Sequence, residues 1–369
     1  MNGATASRIV LLGGGHAHAL TLLMWARSRL AGLEVVLVSP QPKAYYSGLV
    51  PAWLAGRIEP QAFTLDLAAL CRAAGARLVI DEATGLDPEG RVLRLARTGA
   101  LRYDLLSINT GSTLHAPAHD GPVLALRPLP RLLTEWPVRL AEWQAGQGPI
   151  TLDLVGGGAA GVEVMLAALH RLRTLRPDRA IRPRLFCSSP RLLPGHNAGA
   201  VRRAELALQR AGVQLRAGRR WQPGDSAPGN WLLWAAGAEP PEWLRECGLQ
   251  LSADGYVAVR PSLQSTSHAS VFAAGDSAAF SPPLGKSGVR AVRMAPTLAH
   301  NLRAALFGHA LQPHTPQRDT LALLALPDGR AIASRGRWLA AQGRAVGWWK
   351  DWLDHRFMHR FSPTSLPTP

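Results

Sequence analysis

One pattern occurs twice in this chain and constrains its fold more than any other: an apolar strand, a glycine-rich turn, a helical stretch and a second strand. The first copy runs through Arg8–Leu12, Gly13-Gly14-Gly15-His16-Ala17-His18, a helix over Ala19–Leu30 and a strand over Val35–Val38. The second runs through Ile150–Val155, Gly156-Gly157-Gly158-Ala159-Ala160-Gly161, a helix to about Leu172 and a strand over Arg184–Cys187. Parallel strands need a crossover where antiparallel ones need only a tight turn, so each copy is a βαβ unit of a parallel sheet. The expected class is α/β with two Rossmann-like units.

The remaining segments are less regular. Pro40–Pro60 reads as loop, followed by a helix around Leu65–Ala74 and strands near Arg77–Ile80, Val92–Leu95 and Leu105–Asn109. Proline-rich His115–Pro130 reads as a crossing between domains, and Gln222–Gly229 as a surface loop. A Gly/Pro-rich loop after Asp276 leads to a helix over Ala295–Leu306. The tail from about Leu321 predicts two strands and a final helix, with an irregular end over Ser362–Pro369.

No apolar run approaches the ~18 residues that span a bilayer. The short run near the N-terminus leads straight into glycines and reads as a buried strand, not a signal peptide. The net charge of +16 comes almost wholly from scattered arginines, Lys43, Lys286 and Lys350 being the only lysines. That spread is a compositional bias and predicts no nucleic-acid partner, although attraction to anionic cofactors or membrane surfaces survives. Cys71, Cys187 and Cys247 are far apart, which argues against a redox dithiol or a zinc site and fits a cytoplasmic setting.

Gly156, Gly158 and Gly161 form a complete dinucleotide fingerprint: a tight turn, an approach for the pyrophosphate, and close packing of helix on strand. In the first copy Gly13 and Gly15 match, but His18 occupies the third glycine's place. Either that helix sits further out or the imidazole hydrogen-bonds locally. His16 and His18 lack a third ligand and predict no metal. Both copies end their second strand without the acid that would hold a ribose. Ser39 stands there in the first, Ser188-Ser189 in the second, with Arg191 near enough to pair with a 2′-phosphate; this predicts a preference for NADPH over NADH.

The most specific segment is Leu263–Ala278 (LQSTSHASVFAAGDSA), where a strand ends in Gly275-Asp276. Together with Tyr103-Asp104…Asn109-Thr110-Gly111 and Trp234-Ala235-Ala236-Gly237, it resembles the ordered motifs of the pyridine nucleotide–disulfide oxidoreductase superfamily over roughly residues 7–310. Within it the chain is similar to type II NADH dehydrogenases. It is closer still to dehydrogenase-like proteins sometimes fused to selenide, water dikinase, through GGGHAHAL, VSPQPKAYYSGLVPAWLAG, PLGKSGVRAVRMAPTLAHNLRAAL and WWKDWLDHRFMHRF.

The resemblance implies FAD and NAD(P)H as cofactors. It divides the chain into an FAD domain over 1–117 and 255–312, an inserted NAD(P) domain over 118–254, and a small α+β cap over 313–369. Gly13, Gly15, Ser39, Thr110, Gly111, Gly275 and Asp276 then belong to the FAD site, Asp276 on the ribityl chain. Gly156, Gly158, Gly161, Ser189, Arg191 and Gly237 belong to the NAD(P) site. Lys43, Tyr45 and Tyr46 lie in a loop that faces either the flavin or its pyrophosphate, or solvent. The nicotinamide is expected to stack on the flavin and pass hydride from C4 to N5. Glu163 either lies beside the nicotinamide or serves only the helix dipole. Lys286 either stabilises reduced flavin or orients an acceptor carbonyl, or is a solvated loop lysine.

In the last helix Trp349, Trp352, Leu353, Phe357 and Phe361 recur at helical spacing, flanked by Lys350, Arg356 and Arg360. The stripe suits a peripheral contact with the inner face of the plasma membrane, core packing or a homodimer contact. The leading expectation is an NAD(P)H dehydrogenase reducing a quinone-like acceptor. A flavin monooxygenase and a redox-sensing flavoprotein without fast turnover are the alternatives.

Overall fold

The computed structural model describes residues 7–30, 32–227 and 229–367. Residues 1–6 of the first expected domain, Pro228 of the expected surface loop, and Thr368 and Pro369 of the expected irregular end lie outside the described residues.

Two five-stranded parallel sheets dominate. In chain order the elements of the first half are β1 (Ser7–Leu12), α1 (His16–Arg27), β2 (Leu33–Ser39), α2 (Leu67–Ala74), β3 (Arg77–Ile80) and β4 (Leu105–Ile108). Those of the second are β5 (Val123–Ala125), α3 (Leu129–Ala145), β6 (Ile150–Val155), α4 (Ala159–Leu175), β7 (Ile181–Cys187), α5 (Ala198–Arg210), β8 (Gln214–Ala217) and β9 (Trp231–Trp234). Then β10 (Val271–Ala273) returns to the first sheet, and α6 (Gly288–Leu306) covers it. The first sheet runs β10-β4-β1-β2-β3 and the second β5-β9-β6-β7-β8, so each places its glycine-turn strand at the centre.

Both faces of the first sheet are covered. Ile9, Leu11, Val35 and Leu37 face α1, α2 and α6, through Leu22, Leu70 and Leu298 among others. Val10, Leu12, Val36 and Val38 face Leu86 and Leu93 of an antiparallel meander and Val257. A strand buried on both sides reads as an unbroken apolar run, which is why these strands show in the sequence. In the second sheet Leu152 and Leu154 meet the helices, whereas Asp153, on the other face, is wholly buried. Arg184 grips Asp153 through two bonds of 2.7 Å, Ser226 donates to it, and Trp221 Nε1 donates to Ser226 at 3.2 Å. The second half also shares its core with Leu49, Val50, Trp53, Leu54 and Phe63. The segment expected as loop over Pro40–Pro60 instead carries a short strand, Lys43–Tyr45, and a short helix, Val50–Leu54, whose apolar side chains are buried there.

Several expectations change. The helix placed at Ala19–Leu30 spans His16–Arg27, because Gly15, with extended backbone, starts it directly after the turn. The helix expected from Ala295 begins at Gly288, where Ser287 accepts from the Arg290 N–H. Within the expected crossing lie β5 and the start of α3. The cap has three antiparallel strands, not two: β11 (Ala322–Ala325), β12 (Ala331–Arg335) and β13 (Leu339–Gly343), followed by α7 (Arg344–His359). Ser362–Leu366 form bonded turns, not an irregular end, with Leu366 packed on the first core.

The expected α7 stripe divides. Phe357 and Phe361 enter the first core, whereas Trp349 and Trp352 are exposed, with Trp348 beside them 72% exposed. Lys350 is not a solvated flank: it is buried, donating to Asp354 Oδ2 at 2.6 Å and to the Gly48 carbonyl at 2.9 Å.

Candidate functional site

β1 is flanked by β2 on one side and β4 on the other, so its two neighbours' connections diverge and open a crevice at the C-terminal strand ends. The first glycine turn sits there. Gly13 has φ +96° and a Cβ on it would lie 2.5 Å from the Asn109 carbonyl oxygen; a Cβ on Gly15 would lie 2.3 Å from Asn109 Oδ1. Only bare backbone fits, and the turn leads directly into the N-terminus of α1, where the His18 N–H donates to Asn109 Oδ1 at 3.4 Å. Asn109 ties the strand ends together: its backbone N–H donates to Leu12 at 2.8 Å and its amide to the Ala274 carbonyl at 2.8 Å.

His18 is buried in the place of the third glycine and bonds locally. Nδ1 donates to the Gly13 carbonyl at 2.7 Å, which leaves Nε2 to accept from Ser107 Oγ at 2.8 Å. Burial lowers its pKa to about 4, so the ring is a neutral strut under the turn. His16 lies edge-on to Tyr46 and Phe357, also lowered to about 4 by burial. Ser39 is buried at the end of β2 and donates to the Gln41 carbonyl at 2.9 Å, which leaves its oxygen free only as an acceptor. Lys43 is exposed on a short strand with no ion pair among the described residues.

Opposite this turn, Asp276 gathers residues from four segments. Its Oδ2 accepts from Arg127 Nη1 at 2.8 Å and from Ser112 Oγ at 3.4 Å, and Arg127 donates to Ser112 as well. Ser277 Oγ meets the Gly111 N–H at 3.0 Å and Thr110 Oγ1 at 3.3 Å. Gly275 precedes the aspartate, its N–H on Met294 Sδ. Lys286 donates to the Asp276 carbonyl, its ammonium 3.2 Å from the Tyr256 ring centroid; burial lowers its pKa to about 8. Lys286 is thus tethered to the backbone of Asp276 while its side chain stays exposed. Sequence reasoning missed Arg127 and Ser112, since one more arginine in so arginine-rich a chain carries no mark.

The second turn repeats the cradle. Gly156 has φ +133°, and a Cβ on Gly161 would sit 1.9 Å from the Gly156 oxygen, whereas one on Gly158 would point into open space. Gly237 follows β9, also with positive φ. The loop after β7 is pinned by Leu193 N–H on the Gly157 carbonyl, and the loop after β8 by Gly218 N–H on Ser189, both at 2.8 Å. Exposed Arg191 adjoins Ser189, its N–H on Ser189 Oγ at 3.4 Å.

Glu163, in the second turn of α4, faces the cap. Its Oε1 accepts from the Ala325 N–H at 2.6 Å, and burial raises its pKa to about 7 against the pull of Lys350. Asp354, paired with Lys350, accepts from Tyr46 at 2.9 Å, and Tyr46 stacks on Phe357 at 4.4 Å. Both halves and the cap thus share one buried polar cluster. Cys71, Cys187 and Cys247 are buried and unpaired, Cys71 pushed up to about 12 by burial.

A sequence profile for pyridine nucleotide-disulphide oxidoreductases matches residues 7–302. The chain belongs to that family. Its overall fold is similar to the sulfide:quinone oxidoreductase of Aquifex aeolicus, with a TM-score of 0.79 at 17% identity, covering 99% of this chain and 93% of that one. It is similar also to NDH2 from Plasmodium falciparum in complex with NADH, with a TM-score of 0.75 at 12% identity, covering 98% and 99%. The probable ferredoxin reductase CtmF of Castellaniella defragrans is 30% identical over 160 residues, 42% of this chain and 38% of that protein, so the match spans well under half of its length. The oxidoreductase uses FAD and NAD(P)H, and two glycine turns in which a Cβ on Gly13, Gly15, Gly156 or Gly161 would strike backbone or side-chain atoms suit two dinucleotides.

Proposed function

We propose that this oxidoreductase takes hydride from NAD(P)H onto FAD and delivers the electrons to a quinone-like acceptor. The observation that carries the reading is Glu163, a half-buried carboxyl held by the Ala325 N–H near Tyr46 and the Lys350–Asp354 pair and pushed up to about 7 by burial. Reducing a quinone consumes two protons with two electrons, whereas a ferredoxin takes an electron and no proton. A proton store where the cap meets both halves suits the first acceptor. The likeness to a sulfide:quinone oxidoreductase, cap included, supports it. Bound FAD supplies the hydride-accepting ring. We assign the first glycine turn, Ser39, Thr110, Gly111, Gly275 and Asp276 to holding it, and Lys286 to setting the charge beside it. The second turn, Ser189, Arg191 and Gly237 hold the nicotinamide cofactor.

The test is an anaerobic titration of the visible spectrum with NADPH and with NADH, followed by a soluble quinone. Bleaching and prompt reoxidation are expected, with NADPH the more efficient reductant because Arg191 adjoins Ser189 where an acid would otherwise repel a 2′-phosphate. Arg191→Ala should narrow that ratio about tenfold, the worth of one charge-assisted bond to a phosphate. A flavin that neither reductant bleaches would overturn the reading; reoxidation by a ferredoxin but not by quinone would replace the acceptor.

Glu163→Gln should slow reoxidation by quinone about tenfold or more while flavin reduction stays near normal. In the parent protein reoxidation should fall as pH rises through about 7, and the variant should flatten that profile. Slowed reduction with normal reoxidation would instead put the carboxyl at the nicotinamide. The sign for stability is the same. A carboxyl raised from 4.5 to about 7 favours the fold below its unfolded pKa, and that contribution is lost as pH rises through 7.

We also assign the exposed tryptophans to a peripheral membrane contact. Trp338 is 88% exposed and Trp348 72%, with Trp349 and Trp352 close in sequence. No described helix is long and apolar enough to cross a membrane. Replacing these four by serine should abolish sedimentation with anionic liposomes and leave folding intact, whereas cutting off α7 would strip Phe357 from the core. Unchanged sedimentation of the serine variant would remove the assignment.

A further inference from the structure

The crevice at the first glycine turn receives a cofactor whose pyrophosphate is anionic, yet Asp276 places a carboxylate at its rim. An uncompensated negative charge there would oppose binding, and one free to rotate would present no fixed acceptor. Arg127 answers both difficulties. Its Nη1 lies 2.8 Å from Asp276 Oδ2, and Ser112 bonds the same oxygen at 3.4 Å, so the carboxylate is neutralised and fixed from one side. Among the described residues no hydrogen bond reaches Oδ1. The guanidinium reaches this position from the other half of the molecule. It stands just after β5, the edge strand of the second sheet, where the Leu126 N–H is bound to the Trp234 carbonyl at 3.0 Å.

We propose that Arg127 is a positioning residue of the flavin site. It neutralises and orients Asp276 so that an anionic cofactor is admitted and Oδ1 remains as the acceptor for one of its hydroxyls. The proposal rests on FAD occupying this crevice. Because the arginine belongs to the connector that enters the hydride-donor half, loss of its charge acts on flavin affinity from outside the flavin-binding half.

The experiment measures FAD affinity, by quenching of free flavin fluorescence on titrating deflavinated protein, together with the visible circular dichroism of bound flavin. Arg127→Met should weaken FAD about 10- to 100-fold, the range of a charge-assisted hydrogen bond together with the charge it balances. Arg127→Lys, which keeps the charge and gives up the fork, should lose less and keeps the test open should the methionine variant fail to fold. The decisive variant is Asp276→Asn combined with Arg127→Met. With the bare charge gone it should bind FAD more tightly than Arg127→Met alone and restore the dichroism. A merely structural contact would instead make the two losses multiply. FAD affinity of Arg127→Met within twofold of the parent, or multiplied losses in the double variant, overturns the proposal. A parent protein that binds no FAD overturns the cofactor placement along with it.

Discussion

Replacing Gly161 with valine is expected to leave FAD bound and to slow bleaching by NADPH and NADH at least about 100-fold, the cost of displacing a nucleotide from its anchoring turn. The cause is distance. A Cβ here would lie 1.9 Å from the Gly156 carbonyl oxygen and 3.1 Å from Leu154 Cδ2, and neither the turn backbone nor a central strand can give by that amount. α4 would have to back away, taking its N-terminal N–H groups from the pyrophosphate they should meet. The flavin turn belongs to the other sheet and is untouched. Dithionite should therefore bleach the variant as fast as the parent, which separates a lost reductant site from a damaged flavin. Undiminished reduction by NAD(P)H would mean that this turn does not hold the nucleotide.

Asp153→Ala is expected to destabilise the molecule by about 3 kcal/mol, read as a lowered midpoint in urea. The carboxylate is fully buried in the central strand of the second sheet, bound twice by Arg184 and once by Ser226. Removing it leaves a guanidinium over the Phe186 ring with one carbonyl, that of Asp225, at 2.9 Å. The estimate stands at the low end for a broken buried pair because Arg184 keeps some exposure through which its charge can reach water. Removing both partners together, as Asp153→Leu with Arg184→Met, should cost much less, since no charge is then stranded. Equal midpoints for Asp153→Ala and the double variant would show that lost packing, not the stranded charge, sets the cost.

What the sequence disclosed and what it hid divide along physical lines. Strands buried on both faces are apolar, and turns that touch a partner's backbone must be glycine, so the central strands β1, β2 and β6 and both glycine turns are legible. By contrast β5, inside the expected crossing, and β8 (Gln214–Ala217), half exposed and polar, are not. The start of α3 was hidden because Pro128 and Pro130 close the proline-rich stretch read as a crossing. Yet Pro128 caps the helix and Pro130 lies in its first turn, where no N–H is missed. Charged residues were harder still. Lys350 looks like a solvated flank until Asp354, one turn on, and the Gly48 carbonyl from a distant loop close around it. Glu163 was legible as a candidate through resemblance, but its orientation toward the cap depends on the Ala325 N–H, more than 150 residues away in the chain. Long-range pairs of this kind leave no local pattern to read.

The shared core has a consequence for how such proteins can be recombined. Leu49, Val50, Trp53, Leu54 and Phe63 leave the first half's sequence to pack among Leu152, Met165 and Leu169 of the second. A cassette holding only the second half, cut at the strand-to-strand connectors and exchanged for that of another family member, would arrive without its own apolar floor. The smallest transferable unit therefore includes residues 47–63, helical in part, so the boundary of exchange lies inside the first half, not at the linkers.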